Sequence, residues 1–225
     1  MDITSYLLGK NSTGGGGGGG SDLDWNAIGY NGTPQVIKDG YNHAVEVMNN
    51  WDSTKYSFGT TFQSDRNLVI MPLIDIPNIT SMNSAFYGCY ALTTIALLNT
   101  ENVTSMSECF RECRGLTSVP KFNTKKVKTM QKMFMSCYDL ASVPLFDTSG
   151  LTGSGSFTYV FTDCYNLTDT SLDNILQMCI NATGYTGAKN LTTLGITDTG
   201  TYPTSRIQAL PHYQDFINAG WTIGY

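Results

Sequence analysis

Charge is scarce in this chain. Asp, Glu, Lys and Arg make up 14% of the 225 residues, well below the roughly 25% of an average soluble domain, so Thr, Ser, Asn, Tyr and Gly must supply the polar surface. Such surfaces suit proteins that work outside a cell or on a particle. Positive charge is scarcer still. Thirteen Lys and Arg against 18 Asp and Glu leave a net charge of −5, so no nucleic-acid partner is expected, because phosphate binding needs an excess of cations. No apolar run approaches the roughly 18 residues of a membrane span, and none is expected. The opening MDITSYLLGK has no basic region, long apolar stretch or small-residue cleavage site, and no C-terminal anchor follows. The expectation is a protein made in a bacterial cytoplasm and, if exported, carried as part of a larger assembly.

Catalytic signatures are missing too. The chain has two histidines, His43 and His212, and neither belongs to a His-Glu-x-x-His site. Gly-x-Ser-x-Gly and P-loop patterns do not occur. The tract Gly14 to Gly20 lacks the lysine and the flanking strand and helix of a phosphate loop. Acidic residues are too scattered to nominate a glycosidase pair. No catalytic residue, metal ligand or cofactor is expected, and the chain does not read as an enzyme.

What is present begins with that glycine tract. Glycine has the widest backbone freedom and no side chain to pack, so residues 14–21 read as a linker. Ahead of it, residues 1–13 form a partly apolar peptide carrying Ile3, Tyr6, Leu7 and Leu8. It reads equally as an anchor that docks in a groove and as a tail. Residues 22–58 read as an N-terminal cap. Pro34 suits the first turn of a helix. Val36, Ile37, Gly40, Tyr41, Ala44, Val45, Val47 and Met48 give it an apolar face, and NNWD at 49–52 ends it.

A repeat follows. Phe62, Phe86, Phe110, Phe134 and Phe161 are separated by steps of 24, 24, 24 and 27 residues. Three residues after each Phe come Asp65, Cys89, Cys113, Cys137 and Cys164, and three further on Leu68, Leu92, Leu116, Leu140 and Leu167. Met71, Ile95, Val119 and Val143 come next. Met82, Met106 and Met130 precede their Phe by four residues, and Ile79, Val103, Val127 and Leu151 lie further upstream. The Met-x-x-x-Phe-x-x-Cys spacing predicts a short helical turn. The Leu-x-x-Val/Ile-Pro part predicts a short extended run halted by proline. One unit cannot bury its own apolar face, whereas stacked units can. At the first unit Asp65 replaces Cys, as suits an end that must be polar or covered. SLDNILQMCINAT at 171–183 predicts an amphipathic helix with Ser171 as N-cap and Asp173 in its first turn. KNLTTLGI at 189–196 predicts a final strand, and the last twenty residues a second short helix with a Trp-containing tail.

MSECFRECRGLTSVPKFNT and MQKMFMSCYDLASVPLFDT resemble the BspA-like leucine-rich repeats, in the short form found in bacterial surface proteins and prophage-encoded proteins. The similarity covers residues 62–170. MDITSYLLGK, the glycine tract, DWNAIGY and the terminal AGWTIGY are similar to prophage structural or host-attachment proteins. The resemblance implies a curved parallel solenoid and a role in adhesion or recognition, with no catalytic motif to carry over.

Three residue sets are candidates for function. The four repeat cysteines read as small apolar filler, since Cys109 and Cys113 have no partner pair that would complete a zinc site. Seven of the thirteen cations lie between Arg111 and Lys132. They read as relieved by neighbouring acids one repeat away, Lys125 by Glu101 and Lys132 by Glu108. The third set follows Asp65 and the cysteines: Arg66, Tyr90, Arg114, Tyr138 and Tyr165. Stacking would place guanidinium over ring, repeat after repeat. That column reads either as a stabilising ladder or as a planar strip on which sugar rings or a partner loop lie.

The sequence therefore predicts an α/β chain. It comprises a 1–13 anchor or tail peptide, a 14–21 linker, a 22–58 N-terminal cap and a 171–225 C-terminal cap, both caps helical. Residues 59–170 form a short leucine-rich-repeat-like solenoid of about five units, with parallel short strands and short helical turns. The expected role is a non-enzymatic recognition or structural module of a virion. Residues 1–13 would dock on a virion or other carrier protein, and the solenoid would face a host-surface glycan or protein. The alternative is a bacterial cell-surface adhesin or scaffold.

Overall fold

Every 24 residues the chain returns beside itself. The computed structural model describes residues 35–52, 54–73, 78–197 and 201–224. The candidate anchor residues Ile3, Tyr6, Leu7 and Leu8, the 14–21 linker and residues 22–34, Pro34 among them, lie outside these. Strand β1 (Ile70–Met71) pairs in parallel with β2 (Thr94–Ile95), Ile70 opposite Thr94. Single parallel bridges continue the same offset at Ser57, Ser81, Ser105 and Thr129, and again at Ser118 and Ser142.

The Met-x-x-x-Phe-x-x-Cys stretch is not helical, which corrects the sequence expectation. From Met82 to Cys89 it is a run of linked turns. The amides of Ala85, Tyr87 and Cys89 bond back three residues, to Met82, Ser84 and Phe86. The amides between them (Ser84, Phe86, Gly88) reach across to the carbonyls of Ser107, Cys109 and Arg111. A helix would close all of these bonds internally; here every second N–H serves the next repeat. The geometry needs a left-handed residue at every fourth position. Thr60, Ser84, Glu108, Lys132 and Tyr159 form one such set, and Ser64, Gly88, Glu112, Ser136 and Asp163 the other, all with φ between 55° and 74°. Apolar residues at i, i+4 and i+7 face inward in a helix and in this turn chain alike, so spacing could not separate them.

Inside, identical side chains meet. Phe62, Phe86, Phe110, Phe134 and Phe161 stack with centroids 5.7, 5.2, 5.6 and 5.9 Å apart and planes within 16°. Such pairs contribute about 0.5–1.5 kcal/mol each beyond burial. The five repeat leucines and the three methionines are buried. Phe122 and Phe146 add a second, shorter file against the first. The thiols of Cys89, Cys113, Cys137 and Cys164 donate to the carbonyls of Phe62, Phe86, Phe110 and Phe134, each one repeat earlier, at 2.9–3.1 Å. All six cysteines are buried and free. Buried Thr100 and Thr124 donate to the carbonyls of Asn123 and Asp147, and Thr148 donates to that of Met178.

Helix α1 (Gln35–Asn49) covers the first repeat and ends at the NNWD stretch. It buries Gly40, Ala44 and Met48, four residues apart. Gly40 lies so close to the chain that an added Cβ would sit 2.7 Å from that of Val69. Where the cysteine position has become Asp65, the carboxylate meets His43 Nε2 of α1 at 2.6 Å.

At the other end α2 spans Asp169–Asn181 with Thr168 as N-cap, not Ser171. Ser171 is 2% exposed and takes the place of a further strand. Its hydroxyl donates to the Ala141 carbonyl at 2.8 Å and accepts from the Val143 amide at 2.9 Å. The KNLTTLGI stretch is also not a strand. Leu191–Leu194 form a 3₁₀ turn capped by Asn190, because the last repeat's Tyr159 and Phe161 amides need acceptors, and Thr193 and Leu194 carbonyls supply them. Two short helices, α3 (Thr204–Gln208) and α4 (Tyr213–Asn218), follow. Buried Trp221 then stacks on Tyr185. His212 Nδ1 pairs with Asp173 of α2 at 2.7 Å.

Candidate functional site

The residue after a repeat cysteine lies in a further turn in three of the repeats, closed by the amides of Leu92, Leu116 and Leu140 on the carbonyls of Cys89, Cys113 and Cys137, and its side chain is exposed or half-buried. The five residues at this position meet as one file. The Arg66 guanidinium lies 5.7 Å from the centre of the Tyr90 ring. Arg114 lies 4.5 Å from the Tyr90 ring on one side and 5.4 Å from that of Tyr138 on the other. Tyr138 and Tyr165 stack at 5.8 Å with planes 21° apart. With repeats about 4.8 Å apart, the file is roughly 20 Å long. Arg66 and Arg114 are exposed, Tyr90 and Tyr138 half-buried, and Tyr165 is 48% exposed.

A carboxylate that the sequence did not single out clasps the middle of the file. Glu112 accepts from the Tyr90 hydroxyl at 3.1 Å and from Tyr87 at 3.3 Å. It pairs with Arg114 at 3.5 Å and Arg111 at 3.8 Å. Its bond to the Tyr90 hydroxyl raises that phenol's pKa. Arg111 lies over the Tyr87 ring at 5.1 Å, so a second, shorter file runs beside the first. At the far end Asp163 takes the role of Glu112, at the same left-handed position two repeats later. It accepts from the Tyr165 hydroxyl at 2.7 Å, and this bond raises the Tyr165 pKa. Two signals in the sequence lead to these carboxylates: both stand directly before a repeat cysteine, and both fall two residues before a member of the file.

Three of the seven cations of the basic run, Arg111, Arg114 and Lys132, pair with Glu108 or Glu112. Lys132 meets Glu108 at 3.7 Å, and Arg111 meets the same carboxylate at 3.0 Å. Among the described residues Lys125 forms no ion pair with Glu101; it lies close enough to Asp147 to lower that carboxyl's pKa, behind the larger effect of hydrogen bonds from Ser149. Lys126 donates to Asn102 at 2.8 Å.

Among the described residues no three His, Cys, Asp or Glu side chains converge as a metal site, and no helix is long and apolar enough to cross a membrane. The arrangement offers an outward strip of guanidinium groups and π faces, in which carboxylates fix the Tyr90 and Tyr165 hydroxyls. Exposed π faces and guanidinium groups of this kind have the chemistry to stack on planar or ring-shaped groups.

A family model described as "Mycoplasma protein of unknown function, DUF285" matches residues 52–175, more than half of the chain, and this family is related to BspA-like repeat proteins. No curated protein and no solved structure matches the chain.

Proposed function

The chain belongs to the DUF285 family, and we propose that it is a non-enzymatic recognition module built as a short leucine-rich-repeat-like solenoid. Its binding surface is the strip Arg66–Tyr90–Arg114–Tyr138–Tyr165. The observation that carries the reading is the continuity of that strip: all five side chains touch a neighbour in the file. Tyr165 and Arg114 are about half exposed, so the strip is within reach of a partner. Aromatic residues and arginine are also the types enriched in binding hot spots.

In this reading residues 1–13 dock on a carrier protein, glycines 14–20 give slack, and the strip faces a host-cell glycan or protein. The carrier is a virion, as the tether and the prophage-like sequence stretches suggest. The relation to BspA-like proteins supports a second setting, in which the same strip works from a bacterial cell surface. The test compares the full chain with Arg114→Ala/Tyr138→Ala on a glycan array and on host cells. The double variant should keep its fold and lose binding by about tenfold or more. Unchanged binding by a folded double variant refutes the role of the strip. Deleting residues 1–20 should leave a folded domain that no longer co-assembles with its carrier, and unchanged assembly refutes the tether.

A further inference from the structure

The strip runs into a cavity. Between the last repeat and the C-terminal cap lies a space of about 250 Å³ lined in part by Tyr159, Asp163, Tyr165, Thr192, Thr197 and Tyr202. That is smaller than the roughly 300–1,000 Å³ of sites for drug-sized ligands, so it takes one ring-sized unit. Tyr165 belongs to both features. One face of its ring rests on Tyr138, and it borders the cavity with the remainder.

The lining defines the chemistry. It holds three tyrosine rings, one carboxylate and threonine hydroxyls, with no Lys or Arg. The Tyr202 hydroxyl is already committed to the Cys164 carbonyl and the Leu167 amide, so this residue offers its ring. Tyr159 is 51% exposed. Asp163 accepts one bond from Tyr165 on Oδ1 and one from Ser136 on Oδ2. A carboxylate has about four acceptor sites, so roughly two remain for a ligand's hydroxyl groups. A purely apolar ligand would strand that carboxylate, and an anion would meet its repulsion with no cation to offset it. An ammonium group fits the rings and the carboxylate, but the rest of its carrier would then lie along Arg114 and Arg66. A neutral polyol ring satisfies both features. Its C–H face lies against tyrosine, and its hydroxyls donate to Asp163 and exchange bonds with the threonines.

We infer that this cavity receives one neutral pyranose unit of a glycan whose further units lie along the Arg–Tyr strip. The inference rests on reading that strip as a recognition surface.

The test uses the full chain and saturation-transfer NMR. Methyl pyranosides of glucose, galactose, mannose and N-acetylglucosamine are the probes, each at millimolar concentration, beside methyl glucuronide and tetramethylammonium. Asp163→Asn and Tyr159→Asn are the variants. Both positions are left-handed, with φ of 60° and 57°, a conformation asparagine tolerates, so each keeps the backbone while removing the charge or the ring. Circular dichroism and melting confirm the fold of each. At least one neutral pyranoside should bind the wild type and should lose about tenfold or more in affinity in either variant. Glucuronide should bind more weakly than its neutral counterpart. The inference is overturned if no neutral pyranoside binds, if binding survives in both folded variants, or if tetramethylammonium alone competes for the site. Oligosaccharide or host-cell binding that needs Arg114 and Tyr138 but ignores Asp163 and Tyr159 leaves the strip standing and removes the cavity. Absence of both kinds of binding removes both.

Discussion

Replacing Ser84 by glycine separates a helical turn from the linked turns of the repeat. In a helix interior the change costs about 0.5 kcal/mol, the difference between the two residues' propensities. In the linked turns Ser84 has φ of 56°, where an L-residue is strained by roughly 1–2 kcal/mol. Glycine removes that strain and returns about 0.5–1 kcal/mol through its greater freedom when unfolded. The bond from the residue-84 amide to the Ser107 carbonyl, 3.0 Å long, survives the substitution. The net expectation is a gain of about 0.5–1 kcal/mol. At roughly 2–4 °C per kcal/mol for a chain of this size, the melting temperature should rise by about 1–4 °C. Ala85→Gly is the internal control. Ala85 is buried and not left-handed, so glycine there should cost about 1 kcal/mol by lost order alone, and more with the lost methyl. Urea titration and calorimetry on the two variants decide the matter. If Ser84→Gly destabilises as Ala85→Gly does, the linked-turn description is wrong.

Two further outcomes follow from the buried thiols and from Glu112. Burial pushes the Cys89 thiol up from 9.0 to about 12, and burial raises the other five thiols as well. A raised acid pKa favours folding while the group is protonated, so this stability is complete below pH 9 and is lost as pH rises towards 12. Melting temperature should fall across that window, with a shallower slope in Cys89→Ala, and the native thiols should resist Ellman's reagent until the chain unfolds. Glu112→Gln removes the charged acceptor of the Tyr90 hydroxyl, the largest cause of that phenol's raised pKa. Tyr90 should then ionise at lower pH in an ultraviolet phenolate titration, and an unchanged titration would mean that Glu112 does not hold the phenol.

The sequence carried the repeat because its period is written in side chains. Phe, Cys and Leu recur at fixed offsets, and a stack aligned on them brings Phe86 over Phe110 and Arg114 over Tyr90 without further information. It did not carry the backbone conformation. Ser84, Glu108, Lys132 and Tyr159 share a left-handed position but no chemical type, and only Gly88 advertises it. Glu112 and Asp163 were hidden for a related reason. They share their column with Ser64, Gly88 and Ser136, so the column has no common chemical type, and their place before a repeat cysteine gains meaning only once the Tyr90 and Tyr165 hydroxyls are seen to donate to them. The caps were misread where they imitate the repeat by other means, as Ser171 and the 3₁₀ turn do.

The reason for that imitation is directional. Within the linked turns the cross-repeat N–H groups point towards the following repeat, from Phe58 to Ser81 through to Ser136 and Thr162, while the amides just ahead of the turns (Thr80, Thr104, Lys128 and Thr152) point back. On the extended side, outside β1 and β2, they point back, as from Thr93 to Val69 and from Ala141 to Thr117. The C-terminal cap must therefore offer acceptors to one side and donors to the other. The 3₁₀ turn supplies the acceptors. The Thr168 amide, the Ser171 hydroxyl and the Asn174 side chain supply the donors, to the carbonyls of Ala141 and Val143. Ser171→Ala tests this division of labour. A serine acting only as a helix cap would lose about 1 kcal/mol and leave distant amides unchanged. Here the buried Val143 amide loses the oxygen it meets at 2.9 Å, while the Ala141 carbonyl keeps the Thr168 amide at 3.1 Å. The cost should be about 1–3 kcal/mol, the penalty of one unsatisfied buried donor. Hydrogen exchange should place the loss at Val143, with Ala141 and the α2 amides little changed. Protection retained at Val143 would mean that the cap closes the stack by packing alone.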